Sequence, residues 1–401
     1  MKEQKRILIV FCLLGIYLIN AQTSTWGIVE QMGRGINLGN TLSAPVEGNW
    51  APVVYEQYFI DVKNEGFSNV RIPVDFYGSR TTGSTAGFST NAGTAGSYSG
   101  SISDFTVSQT YLNRLQTIVD WSISQELYTI IDFHGAQLKS EFLTTFNSNE
   151  PNYTSPSSSK RAADLMKFKS IWTAIANQFI NYSNTLIFEV VNEPYFELSS
   201  DEMDALNTLI ISTIRATGGN NSTRSIIITG GTLNSYQAPT AIGSNVIQSD
   251  DYLIASFHYY QPFNFTSSST SNNNVFNWGS ESEKSTIISH FNQVKTWSEL
   301  NNIPVTLGEF GADNANGVNY STGLDGDFGG PENSGRVEYH RFLAEQAINR
   351  GFSFSAWCAG NKSTKTISLR NDNPNNSSII YCGSPSGGLW KSIDGGSNWD
   401  P

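Results

Sequence analysis

Two glutamates end apolar runs of this chain, Ile187-Phe188-Glu189-Val190-Val191-Asn192-Glu193 and Val305-Thr306-Leu307-Gly308-Glu309. A carboxylate beside such a run is costly unless it is paired or used. A pair of carboxylates facing each other across a cleft has a definite use, the cleavage of a glycosidic bond. One protonates the leaving oxygen, and the other attacks the anomeric carbon or activates water. The alternative is two structural carboxylates, each held by a basic neighbour. Matched positions at the ends of two runs favour the chemical reading, which for a retaining reaction places the carboxyl groups about 5 to 5.5 Å apart.

Other polar side chains close apolar runs in the same way: Arg71, Asp132 with His134, His258 with Tyr260, and Trp357. The runs themselves, near 35–38, 69–72, 129–133, 186–191, 225–229, 253–257, 304–307 and 353–356, are short and rich in Val, Ile and Phe, which predicts eight strands. Between them lie helical patterns at about 52–65, 108–126, 160–182, 200–217, 281–301 and 334–350, with a weak one after the fifth strand. Leu112, Leu115, Val119 and Ile123 show the period of a helix with one buried face. Such alternation is the α/β pattern, open to a doubly wound sheet or a closed barrel. Only a closed parallel barrel brings the C-terminal ends of strands two, three, four, six, seven and eight around one mouth. The expected fold is therefore a (β/α)8 TIM barrel. The low-complexity stretches 79–103, 144–160, 264–282 and 313–334 follow strand ends and would wall the cleft.

Composition narrows the function further. The chain has 401 residues, 38% hydrophobic and 15% charged, which fits a globular protein better than a disordered one. A net charge of −11 repels polyphosphate, so nucleic acid is not an expected partner. Lys2, Lys5 and Arg6 precede an almost unbroken apolar run from Ile7 to Ile19, and Ala21 offers a small residue for cleavage. Residues 1–21 thus read as a signal peptide, too short to span a bilayer comfortably, and the mature chain is expected to be secreted and free of the membrane. Cys358 and Cys382 then remain, too few for a disulfide framework and without metal-ligand spacing. With no metal cluster and no phosphate-cradling loop in the sequence, no cofactor and no metal are expected.

The stretch Gly35-Ile36-Asn37-Leu38-Gly39-Asn40-Thr41-Leu42, followed by Ala44-Pro45 and Glu47-Gly48-Asn49-Trp50, resembles the first-strand segment of glycoside hydrolase family 5, the cellulase family. Asn69-Val70-Arg71-Ile72-Pro73, Val191-Asn192-Glu193-Pro194, Ser256-Phe257-His258-Tyr259-Tyr260, Leu307-Gly308-Glu309-Phe310-Gly311 and Ala356-Trp357 are similar to that family in order and spacing, over about residues 27–360. The resemblance implies a (β/α)8 barrel and retaining hydrolysis of β-linked polysaccharide. Carried over by position, Glu193 resembles the acid/base and Glu309 the nucleophile. Glu193 would then have the higher pKa, because it must stay protonated beside an ionised carboxylate. Asn192 would bind the 2-hydroxyl, Arg71 and Tyr260 would hydrogen-bond Glu309, and His134 and His258 would contact the sugar and the acid/base. Trp357 would be a sugar platform. Asn40, Trp50, Phe263 and Trp278, on mouth loops, are candidates for outer subsites. Many relatives carry two consecutive histidines after strand three where this chain has His134-Gly135, which bears on substrate preference more than on chemistry.

The end of the chain departs from the family pattern. No apolar helical period follows Trp357, so the eighth helix is expected to be missing, with the outer faces of strands eight and one left uncovered. Residues 374–401 instead resemble one repeat of the sialidase and sortilin type, with Ile379-Ile380-Tyr381 as a strand and Ser392-Ile393-Asp394-Gly395-Gly396-Ser397-Asn398-Trp399 as an Asp-box, a structural turn without catalytic role. The expected organisation is a signal peptide at 1–21, a catalytic barrel at 22–361 and a β-rich tail at 362–401, the chain being a truncated or fused product whose native form either continues beyond Pro401 or covers the gap with residues 361–401. The expected activity is that of a secreted, monomeric endo-β-1,4-glucanase, with mannan and xyloglucan as rival substrates. A polysaccharide-binding barrel without catalysis is the competing class, but a pure binder does not need both carboxylates together with Asn192, Arg71 and Tyr260.

Overall fold

The computed structural model describes residues 24–135, 153–194, 198–269, 275–314, 330–360, 365–367, 380–383 and 389–392. Eight parallel strands close into a barrel in chain order: β1 Arg34–Asn37, β2 Asn69–Val74, β3 Tyr128–Phe133, β4 Leu186–Glu189, β5 Ile226–Ile228, β6 Leu253–Tyr259, β7 Val305–Phe310 and β8 Ser353–Ala356. Helices α1 Thr25–Met32, α2 Glu56–Asn64, α3 Gln109–Ser124, α4 Ser159–Gln178, α5 Ser200–Ala216, α6 Ser244–Ile247, α7 Phe263–Thr266, α8 Glu281–Asn301 and α9 Asn333–Ile348 precede β1 or connect the strands. Each expected strand and long helix has its counterpart, and the weak pattern after the fifth strand becomes the four-residue α6 preceded by 3-10 turns.

Alternation along the strands sorts the barrel into an apolar shell and a polar interior. Val70, Ile72, Val74, Ile131, Phe133, Phe188, Ala255, Phe257 and Leu307 belong to the large core cluster shared with the helices. Their neighbours of opposite parity, Arg71, Asp132, Glu189 and His258, bond one another across the strands or sit against the same carboxylates. At the N-terminal end, Ile130, Ile187, Ile227 and Ile254 pack with Ile28, Val29 and Met32 of α1, which forms the barrel floor. Ser24 caps that helix by accepting from Gly27 N. Helix α1 is not legible in the sequence because eight residues directly after a leader-like run give too short a window for a helical period.

One irregularity sets the site. The pairing of β6 with β7 runs Ser256 to Thr306 and Phe257 to Leu307, then shifts so that His258 stands opposite Glu309. The extra residue is Gly308, and this β-bulge changes the parity of the residues after it. Glu309 therefore faces the interior, while Phe310 turns outward against Phe354 and His340. A side chain at Gly308 would place its Cβ 2.8 Å from His258 Nε2, so glycine is required by close approach.

Among the described residues no helix follows β8. The chain returns at 365–367, where Lys365 pairs with the fully buried Asp313 at 2.7 Å and Thr366 O accepts from Arg336. Beyond it β9 Ile380–Gly383 and β10 Leu389–Ser392 form an antiparallel pair, with β9 running beside α9. Without a helix after β8 among the described residues, strands eight and one are still not left exposed: Ile36, Phe354 and Ala356 are all buried. The expected strand at 379–381 falls within β9 apart from its first residue, whereas residues 393–399 of the Asp-box and all of the signal peptide lie outside the described residues.

Candidate active site

Arg71 is the hub of the C-terminal mouth. It is fully buried, and its guanidinium serves five partners. Nε and Nη2 donate to the two oxygens of Glu189 at 2.7 and 2.9 Å. Nη2 also donates to Asn192 Oδ1 at 2.8 Å and lies 2.9 Å from Asp132 Oδ2, while Nη1 donates to Asn37 Oδ1 at 2.9 Å and to Glu309 Oε1 at 2.7 Å. A planar fork of donors fits this work where an ammonium would not. Burial works against its charge, but Asp132, Glu189 and Glu309 outweigh that and hold the guanidinium proton more firmly than usual. Burial likewise raises the Glu189 carboxyl, offset in part by Arg71. Asn37 locks the hub to the frame by donating to Gly308 O at 3.0 Å and Ser355 O at 2.8 Å.

Glu309 thus has Arg71 on one oxygen and Tyr260 on the other, the phenol donating to Oε2 at 2.9 Å. Burial, and next the Glu309 charge, push the Tyr260 hydroxyl far above its ordinary range, so it remains a donor. Glu193 stands beyond the end of β4 with φ of 22°, an uncommon conformation for a side-chain-bearing residue. His258 Nδ1 is 2.8 Å from Glu193 Oε1 and 3.7 Å from Glu309 Oε2. A carboxylate oxygen of Glu193, one of Glu309 and a ring nitrogen of His258 all lie within 4.8 Å of one another. That spacing would also fit a cation, but a cation there would occupy both carboxylates and leave no acid, so none is assigned. The Glu309 side chain is 5% exposed and that of Glu193 33%, so one carboxylate is held inside and the other opens to the cleft.

His134 and Trp357 complete the mouth. The imidazole Nδ1 lies 2.9 Å from Asp132 Oδ2, and its ring stacks on Trp357 with centroids 5.7 Å apart and planes 16° off parallel. Trp357 is fixed by donating its backbone N–H to Phe310 O, and a Cβ on Gly39 would meet its ring at 3.0 Å. Of the outer candidates, Phe263 opens α7 and is 61% exposed, while Asn40 and Trp50 are half-buried after β1. Trp278 is a correction. It is buried, edge-on to Tyr339 at 5.2 Å and against Phe342, so it anchors the segment before α8 to α9 instead of facing sugar. Its loop position hid the long apolar face of α9 that it covers. From sequence no role falls to Asn37, Glu189 or Asn234, and none beyond a strand-end position to Asp132. A charged residue inside an apolar strand was the available signal for Glu189.

Two expectations arise here. Arg71→Met leaves Asp132, Glu189 and Glu309 buried without their cation and should destabilise the fold by about 3 to 5 kcal/mol. A urea midpoint equal to that of the wild type would contradict this. Burial pushes the His258 imidazole down to about 4. Its folded pKa lies below its unfolded one, so between about pH 6.5 and 4 the unfolded chain binds more protons and stability falls as pH falls. The acid-side slope of stability should therefore be shallower in His258→Gln, as read by thermal melts across that window, and an unchanged slope would count against it.

The chain is similar in sequence and fold to known proteins. Residues 30–363 match the family described as Cellulase (glycosyl hydrolase family 5). The chain is 34% identical over 335 residues to Endoglucanase H of Acetivibrio thermocellus, covering 83% of this chain and 30% of that protein. It is 28% identical over 347 residues to Endoglucanase B of Clostridium cellulovorans, covering 83% and 68%. The chain thus spans less than a third of the length of the first of these relatives. Among solved structures, a broad-specificity endoglucanase from Clostridium acetobutylicum aligns with a TM-score of 0.66 at 26% identity, over 88% of this chain and 95% of that one. A hyperthermophilic endo-β-1,4-glucanase solved with substrate aligns with a TM-score of 0.65 at 26% identity, over 88% and 98%. With the barrel, the strand-end glutamates and a match over most of its length, this chain belongs to glycoside hydrolase family 5.

Proposed function

We propose that the protein is a retaining endo-β-1,4-glucanase. The observation that carries the reading is the pair of carboxylates at the mouth, with oxygens of Glu193 and Glu309 within 4.8 Å. Retaining enzymes hold their carboxyl groups about 5 to 5.5 Å apart, whereas inverting ones need about 6.5 to 9.5 Å to admit water. Glu309, held by Arg71 and Tyr260, attacks the anomeric carbon. Glu193 protonates the leaving oxygen and then, as carboxylate, draws a proton from the water that releases the sugar. Asn192, held by Arg71, would meet the 2-hydroxyl. His134 and Trp357 offer a stacked aromatic wall to the pyranose face.

β-1,4-Glucan is the first substrate on this reading, supported by relatives named endoglucanases. A related enzyme named as broad in specificity makes mannan and xyloglucan worth testing beside it. Residues 1–21 are read as an export signal, so the active form is secreted. Residues 392–399 are read as an Asp-box turn on their sequence alone. Action as a monomer belongs to the same reading. Reducing-end release from carboxymethylcellulose, mannan and xyloglucan, with viscosity followed in parallel, tests the proposal. Rapid viscosity loss on the glucan is expected. Binding without release on all three would instead support the non-catalytic barrel.

A further inference from the structure

The two ring nitrogens of His258 have different company. Nδ1 faces Glu193 Oε1 at 2.8 Å and Glu309 Oε2 at 3.7 Å, while Nε2 lies 3.5 Å from the side-chain nitrogen of Asn234. Asn234 is fully buried, and its Oδ1 has no hydrogen-bond partner among the described residues. It ends a run of three left-handed residues after β5, Thr232, Leu233 and Asn234, with φ of 51°, 53° and 51°. Side-chain-bearing residues are strained there. That turn brings the amide to the ring edge, and Gly308 brings no side chain to compete for it.

A neutral imidazole carries one proton, and its neighbours choose the nitrogen. Carboxylates at Nδ1 favour the proton there, and an amide N–H at Nε2 requires a lone pair. The other charged or titratable groups around the ring are Arg71 on β2, His134 after β3 and Glu189 on β4, with Tyr260 beyond β6 sharing Glu309. We propose that Asn234 is a positioning residue for the acid/base step. By donating to His258 Nε2 it keeps the imidazole proton on Nδ1, which donates to Glu193 Oε1. The acidic proton of Glu193 is then confined to its other oxygen, available to the leaving group. With the opposite tautomer, Nδ1 would accept that proton and draw it away from the bond to be cleaved. This inference rests on the hydrolase reading.

The test is nitrogen NMR of the full chain labelled at its four histidines, with His258 assigned by substitution, beside kinetics of Asn234→Ala and Asn234→Asp. The wild type should show a protonated Nδ1 and a lone pair on Nε2 near neutral pH. In Asn234→Ala the tautomers should mix, and kcat on β-glucan should fall about tenfold with KM unchanged. In Asn234→Asp the carboxylate should draw a proton onto Nε2. The resulting imidazolium lowers the Glu193 pKa, moving the alkaline limb of the kcat/KM profile down by about one unit. A protonated Nε2 in the wild type, or folded variants with unchanged kcat and pH profile, would overturn the proposal. Should the variants fail to fold, the wild-type nitrogen pattern decides it alone. A wild type inert on every β-glycan would sink the hydrolase reading, and the nitrogen pattern would still report on Asn234.

Discussion

Glu309→Ala should lose hydrolysis of β-1,4-glucan by about four orders of magnitude or more in kcat while still binding oligosaccharide. On the proposed mechanism the substitution removes the nucleophile and with it the covalent step, and a neighbour cannot replace it. Asp132 and Glu189 remain tied to Arg71, and Glu193, the proposed acid, is turned toward His258. The fold should survive because Arg71 keeps two of its three carboxylates. Binding should survive because the Trp357 and His134 wall and Asn192 do not depend on Glu309 for their place. Initial rates on soluble glucan beside calorimetric titration with cello-oligosaccharides make the check. Comparable rates for mutant and wild type would remove Glu309 from the chemistry.

Glu193→Gln should lower kcat on unactivated polymer by about a thousandfold, within the range that general acid catalysis supplies. The loss should be much smaller on an aryl glycoside whose leaving group needs no proton for the first step. The alkaline limb of the pH profile should also vanish, because glutamine has no proton to lose. The position of Glu193 supports this division of labour: it opens to the cleft beside a neutral imidazole, whereas Glu309 sits inside against a guanidinium and a phenol. Full activity on polymer with an unchanged alkaline limb would contradict the assignment.

Much of this was legible in the sequence because barrel strands are buried on both faces and read as short Val, Ile and Phe runs. A polar residue closing such a run stands out, as Glu193, His258 and Glu309 did. The features that stayed hidden depended on contacts between distant segments. Asn37 looks like any asparagine in a first strand until Gly308 and Ser355 are seen to accept from it. Asn234 lies in a loop with no pattern of its own, and its role arises from a left-handed turn next to a ring 24 residues on. The bulge at Gly308 was equally silent, although without it Glu309 would face the helices. Trp278 misled for the opposite reason, since an aromatic in a polar loop resembles a sugar platform until the helix beneath it is known.

Double displacement by Glu193 and Glu309 can be watched by proton NMR of the anomeric signals during the first minutes of cello-oligosaccharide cleavage. The new reducing end should appear first as the β-anomer and only later mutarotate. First appearance of the α-anomer would mean a single displacement by water, and would contradict it.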